Sequence, residues 1–223
     1  ILGRGAGGTI IDTPFVAGRW ESTDSPILIT RPVTIPENDL LRIDPGVRVI
    51  FDGNYDITVL GNIQAIGSEA DSIIFQVQDT TGFSNEYITD GGWGGIRFNG
   101  TGAGQDSSRF RYCRFLFAKK IARGRYGLGG AVAIDGFSKV VIAQSLFRNN
   151  YASGSGGAIH INHAGPMVFQ NRFTANKAND YGGAVSIFVS DDGDVPTLSH
   201  NIFLNNHTMQ RGTVFISGGT ADI

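Results

Sequence analysis

The sequence predicts an all-β chain wound into a β-solenoid, and three observations carry that expectation. A six-residue phrase recurs, as "GGAVAI" at 129–134, "GGAIHI" at 156–161 and "GGAVSI" at 182–187, at spacings of 27 and 26 residues. Apolar residues alternate through short segments, which is the period of a half-buried strand, and no helical period emerges. Glycine accounts for 32 of 223 residues, about twice its usual share of ~7%. A repeat of roughly 20–30 residues made of short strands and turns reads as one coil, which must stack on its neighbours to bury its apolar face. About eight coils are expected, a rod on the order of 40 Å long at about 4.8 Å per coil.

The elements follow in order within one domain spanning 1–223. In the irregular N-terminal coils, 1–109, "PVTIPENDLLRIDPGVRVIF" (32–51) and "DITVLGNIQAIG" (56–67) alternate between polar and apolar residues. Pro36, "DPG" at 44–46, "DGN" at 52–54 and Gly61 break them into strands. The segment 76–92, "QVQDTTGFSNEYITDGG", reads as a protruding insertion, and "WGGIRF" then puts Ile96 and Phe98 inward and Arg97 outward. In the repeat coils, 110–223, a skeleton F-x-x-N, a polar turn and G-G-A recurs. It aligns Phe147, Phe173 and Phe203, then Asn150, Asn176 and Asn206, with a fainter copy at Phe115 and Ala118. The glycine pairs are Gly129–Gly130, Gly156–Gly157 and Gly182–Gly183, and "RGTV" at 211–214 departs from the pattern.

Each part of the unit has a physical reason. Glycine at a sharp corner adopts positive φ without penalty and lets neighbouring backbone approach closely. Asparagine tolerates the left-handed conformation, and its amide can bond the equivalent residue one coil away. After each glycine pair, Val132 and Ile134, Ile159 and Ile161, Val185 and Ile187, and Val214 and Ile216 point inward. Ala133, His160, Ser186 and Phe215 point the other way and share no chemistry, which predicts an exterior column.

Composition narrows the function classes. With 18 basic and 20 acidic residues and no basic stripe interleaved with aromatics, nothing implies a nucleic acid or an anionic membrane. The single cysteine, Cys113, rules out an internal disulfide and sits in the apolar stretch "RFRYCRF", where a buried inert thiol is expected. No run reaches the ~20 apolar residues of a membrane span, and "ILGRGAGGTI" has no signal-peptide pattern. Ending at "GGTADI" directly after a repeat, the sequence is expected to be part of a longer protein.

The coupled "GGAI" and "FxxN" repeats over 110–216 resemble those of the chlamydial polymorphic membrane proteins, which are surface adhesins. The opening coils, "IPENDLLRIDPGVRVIFDGN" through "WGGIRF", resemble those of secreted bacterial β-helix proteins. These resemblances imply a right-handed single-stranded parallel β-helix and an exported, cell-surface location. They imply a non-catalytic scaffold for adhesion or extracellular assembly, with a cell surface, matrix, polysaccharide or further subunits as partners.

Two other classes stay open. Parallel β-helices include polysaccharide lyases and glycoside hydrolases, which need carboxylates or an acid–base pair converging on one face. On the outer side of the GGA strands, Asp135 and His160 on successive coils beside Arg97 are the candidates, although polygalacturonase-like signatures are absent. "VSDDGDVP" offers Asp191, Asp192 and Asp194 as oxygen donors to Ca²⁺ without the EF-hand pattern, and His200 and His207 lack zinc-ligand spacing. No cofactor is otherwise implied. The third class is a carbohydrate-binding module, in which Tyr87 on the insertion and Trp93 flanking it stack on sugars, with Trp20 and Phe83 as further aromatics in or beside loops.

Overall fold

The structure, a computed structural model, describes residues 3–5, 8–122, 127–189 and 194–223. It consists of short strands; among the described residues the one helical element is a 3-10 turn at Ser22–Asp24. No helix in them is long and apolar enough to cross a membrane.

Most strands lie on three faces, which the chain visits in rotation, and a fourth, shorter parallel sheet stacks Lys119–Lys120, Tyr151–Ala152, Lys177–Ala178 and His207–Thr208. The first face stacks Gly8–Ile11, Ile27–Ile29, Arg48–Phe51, Ile73–Val77, Cys113–Leu116, Leu146–Arg148, Arg172–Thr174 and Ile202–Leu204. The second stacks Val33–Ile35, Asp56–Val59, Gly95–Asn99, Val132–Asp135, Ile159–Asn162, Val185–Val189 and Val214–Gly218. The third stacks Gly18–Trp20, Leu40–Ile43, Asn62–Ile66, Ser108–Arg111, Val140–Ala143, Met167–Phe169 and Thr197–Ser199. Each pairs in parallel with its equivalents on adjacent coils, whereas Gly3–Gly5 adds an antiparallel edge to Gly8–Ile11. The eight parallel strands of the first face mark eight coils of a parallel β-helix, in agreement with the number expected from sequence. The first coil reaches the second face only through the Phe15–Thr34 bridge, and the last reaches the third through Thr197–Asp222.

Register explains the irregular spacing of the sequence. Thr9, Ile27, Val49, Phe75, Phe115, Phe147, Phe173 and Phe203 stand in one inward column, so coils run between 18 and 40 residues. From Phe75 onward the column is aromatic, with centroids 5.1, 4.5, 4.9 and 4.9 Å apart and rings within 13° of parallel. Each fully buried phenylalanine contributes about 1.5–3 kcal/mol of transfer free energy. Inward pairs of the second face, from Val33 and Ile35 to Val185 and Ile187, are almost completely buried.

Two tight corners flank each of the last four first-face strands, and both use left-handed residues. Tyr112, Gln144, Gln170 and His200 enter the face, and Phe117, Asn149, Ala175 and Asn205 leave it, all with φ between 48° and 56°. Behind the exit corner the expected asparagine stack forms: the Asn150 amide donates to Asn176 Oδ1 at 2.9 Å, and that of Asn176 to Asn206 Oδ1 at 2.8 Å. Behind the entry corner stands a second, unanticipated ladder, in which Asn201 Oδ1 accepts from the Asn171 amide at 3.1 Å and Asn171 Oδ1 from the Ser145 backbone at 2.9 Å. Both ladders satisfy buried backbone that the turns leave without strand partners.

The glycine pairs divide their labour. Gly129, Gly156 and Gly182 have φ of 59°, 71° and 62°. At Gly130 and Gly157 a Cβ would lie 2.2 and 2.1 Å from the carbonyl oxygen of the equivalent glycine one coil on. "RGTV" is one residue shorter and keeps Gly212 in the left-handed position, at φ 55°.

Two expectations about exposure are corrected. Arg97, His160 and Ser186 do share an outward column, but all three are buried. Backbone of the glycine turn closes over them: a Cβ on Gly129 would sit 3.0 Å from the His160 amide, and one on Gly156 2.8 Å from Ser186 Oγ. Trp93, expected on a binding loop, is fully buried, stacked on Phe51 at 4.5 Å, and donates its indole N–H to the Leu116 carbonyl at 2.9 Å. An indole with both faces against core and its donor satisfied presents no platform to a sugar.

Candidate functional site

The second face carries a pocket of about 330 Å³ that gathers Arg97, Asp135 and His160, the three residues singled out from sequence. Asp56, Thr58, Asn99, Lys120 and Asn162 complete its polar lining. Register places them: Asp135 pairs with Asn99 and Asn162, His160 with Ala133 and Ser186, and Asp56 with Gly95.

Arg97 is committed to backbone. Its guanidinium donates to the carbonyls of Gly94, Leu128, Gly129 and Gly130, at 2.8 Å to Leu128 and 3.1 Å to Gly130, and lies 3.9 Å from Asp56. In the coils that follow, amides of one glycine turn donate to carbonyls of the next, as Gly130 does to Gly156 and Gly157 to Gly182. Arg97 occupies the position one coil before the first such turn, so its fork does for Gly129 and Gly130 what a preceding turn's amides do elsewhere. Burial brings its pKa down to about 10, opposed by Asp56, so it remains a cation at neutral pH.

His160 is held in a similar way. Its Nδ1 lies 2.8 Å from Ser186 Oγ and its ring 5.6 Å from that of Phe188. Burial lowers its pKa to about 4, with Asp135 raising it and Arg97 lowering it further. The imidazole is therefore neutral at pH 7, far below the value that suits a general acid or base there. Asp135 is exposed and accepts from the Asn162 amide at 2.8 Å, and Asp56 pairs with Lys120 at 2.8 Å. Asp56 and Lys120 escaped the sequence reading, although Asp56 opens a strand in "YDITV". The arrangement offers hydrogen bonds and charged groups to a small polar ligand.

The other candidates lie apart. Tyr87 is 92% exposed on the insertion, whereas Trp93 is in the core and Trp20 is buried as well. The insertion, 78–92, is anchored by fully buried Lys119, whose ammonium donates to the carbonyls of Gly82, Asn85 and Asp90 at 3.1, 2.8 and 3.0 Å and lies 5.4 Å from the Phe83 ring centre. Burial lowers the Lys119 pKa, against Asp90 and Glu86. Glu86 pairs with Lys177. Asp191 and Asp192 lie outside the described residues; Asp194 is half-buried, and no group of three or more His, Cys, Asp or Glu that could hold a metal ion occurs among the described residues. Cys113 is buried, and burial pushes its thiol pKa up. No known family, no curated protein and no solved structure matches the chain.

Proposed function

We propose that this chain is a non-catalytic scaffold of an exported surface protein, serving adhesion or extracellular assembly. The observation that carries this reading is the deployment of the two most reactive-looking side chains: Arg97 spends its donors on four backbone carbonyls, and His160 is buried and neutral against Ser186. Eight hydrogen-bonded coils form a rod on the order of 40 Å long, a shape that spaces binding surfaces. Likeness of the GGAI and FxxN repeats to those of chlamydial surface adhesins supports the exported location.

Latex beads coated with the purified chain are expected to attach to cells or matrix more than beads carrying an unrelated protein. The chain is also expected to release neither unsaturated products nor new reducing ends from uronate polymers, with or without Ca²⁺. Product release that disappears in Asp135→Asn would replace the scaffold by an enzyme. A second reading, a carbohydrate contact through the insertion, rests on the exposed ring of Tyr87; glycan binding unchanged in Tyr87→Ala would remove it.

A further inference from the structure

We infer that the edge where the third face meets the first binds an extended polyanion, and that this ligand is a linear acidic polysaccharide. The inference rests on the scaffold reading and names what the scaffold holds. It begins with where the charges lie. The parallel strands of the first and third faces carry eight arginines and no aspartate or glutamate, in a chain with 20 acidic and 18 basic residues. The acids sit in turns and on the second face, at Asp56 and Asp135.

On the first face, register gives one outward column over six successive coils: Arg48, Ile74, Arg114, Leu146, Arg172 and Ile202. The guanidiniums thus recur on alternate coils, roughly 10 Å apart at 4.8 Å per strand, with an aliphatic side chain between each pair. Arg48, Arg114 and Arg172 are exposed, and none of them enters an ion pair among the described residues. All three line one groove of about 670 Å³, together with corner residues Gln144 and Gln170. Glu69 and Asp71 also line it, on the turn leading into Ile73–Val77, so Arg114 and Arg172 are the guanidiniums farther along the groove. Around the corner, Arg111 donates to Gln144 Oε1 at 2.5 Å and lies 5.2 Å from the centre of the Tyr112 ring, carrying positive charge onto the third face.

This pattern suits a glycan better than a nucleic acid. Single strands are gripped by aromatic platforms for their bases, and the groove lining contains no aromatic residue. A polymer with one carboxylate per disaccharide presents charge at about the period of the arginines. Ile74 and Leu146 would meet the apolar faces of its rings, and Gln144 and Gln170 would bond hydroxyls. Planar guanidiniums match carboxylates in a bidentate way.

Affinity electrophoresis of the intact chain tests the inference in gels containing hyaluronan, which has one carboxylate per disaccharide, or neutral dextran, with oligothymidylate as competitor. Hyaluronan is expected to retard the chain and dextran is not. Retardation should weaken as NaCl rises from about 50 to about 200 mM, because exposed charges are screened. The double variant Arg114→Ala/Arg172→Ala is expected to lose roughly tenfold or more in affinity, while Arg31→Ala, an exposed charge elsewhere with an unchanged circular dichroism spectrum, keeps it. Equal retardation by dextran, an unaffected double variant, or preferential displacement by oligothymidylate overturns the inference. Beads that adhere to cells while hyaluronan leaves the chain unretarded refute the ligand and leave the scaffold; retardation without adhesion does the reverse.

Discussion

His160 stands at an outward strand position and is nonetheless buried, so its protonation is coupled to folding. Its pKa is about 4 folded against 6.5 unfolded. Above pH 6.5 both states are neutral and the residue adds no slope. Between 6.5 and 4 the unfolded chain takes up a proton that the folded chain refuses, so stability falls as pH drops, by about 1.4 kcal/mol per unit and on the order of 3 kcal/mol in total. Urea unfolding from pH 7 to 4.5 should show this slope, and His160→Gln, which cannot titrate, should lose that share; equal slopes would contradict the burial. A second residue carries strain. Ala175 has φ 54° where its equivalents one coil either way are Asn149 and Asn205. Asparagine tolerates that conformation better than alanine, so Ala175→Asn is expected to stabilise by about 0.5–1 kcal/mol, read as a rise in the urea midpoint. A fall would mean that the corner is set by its neighbours and not by local preference.

At the level of elements, the asparagine ladders and the insertion each depend on one satisfied polar group. Asn176 Oδ1 accepts from the backbone and side chain of Asn150 at 3.0 and 2.9 Å, and its amide donates to the Phe147 carbonyl at 3.0 Å. Asn176→Ala strands these buried partners and should cost about 3 kcal/mol, at one to three per orphaned group. Less than 1 kcal/mol would mean that water replaces the amide. Lys119→Met keeps the stem and deletes the ammonium that gathers three carbonyls of the insertion. Limited proteolysis should then cut within 79–90 at least about tenfold faster, by local opening of the segment, with the coils intact. The F-x-x-N ladder was legible because its asparagines recur in register. Its companion left a weaker trace, Asn171 and Asn201 each two residues before a phenylalanine, because a serine, Ser145, holds the third place. Nothing in the local sequence indicates that Lys119 folds under the insertion, since its partners are backbone carbonyls 29–37 residues away.

Over the whole molecule, one aromatic column runs through the repeat coils, and each ring except the last, Phe203, is covered by the coils on either side. Phe147 packs on Phe115 at 4.5 Å and on Phe173 at 4.9 Å. Phe147→Ala is expected to cost about 3–5 kcal/mol in urea unfolding; a loss under 1 kcal/mol would mean that the neighbouring coils collapse into the space. Charge is sorted on the same scale, with eight arginines and no acids on the parallel strands of the first and third faces and the acids in turns or on the second face. That sorting is invisible in a net charge of −2 and in local runs, because it emerges only when residues 26 to 40 apart are laid side by side by register.

Repetition alone determined the architecture: the solenoid, its eight coils, the inward rows and the corner glycines follow from a period that each coil must share with the next in order to bury its face. Tertiary structure decided what the outward residues do. Alternation tells which side of a strand a residue occupies, but not whether another segment crosses over that side. The glycine turn returns across Arg97 and His160 and the core closes over Trp93, so Arg97 and Trp93 hold backbone carbonyls and His160 holds the Ser186 hydroxyl. Stacking also brought Arg48, Arg114 and Arg172 into one groove, because parallel register, and not proximity along the chain, sets which side chains are neighbours.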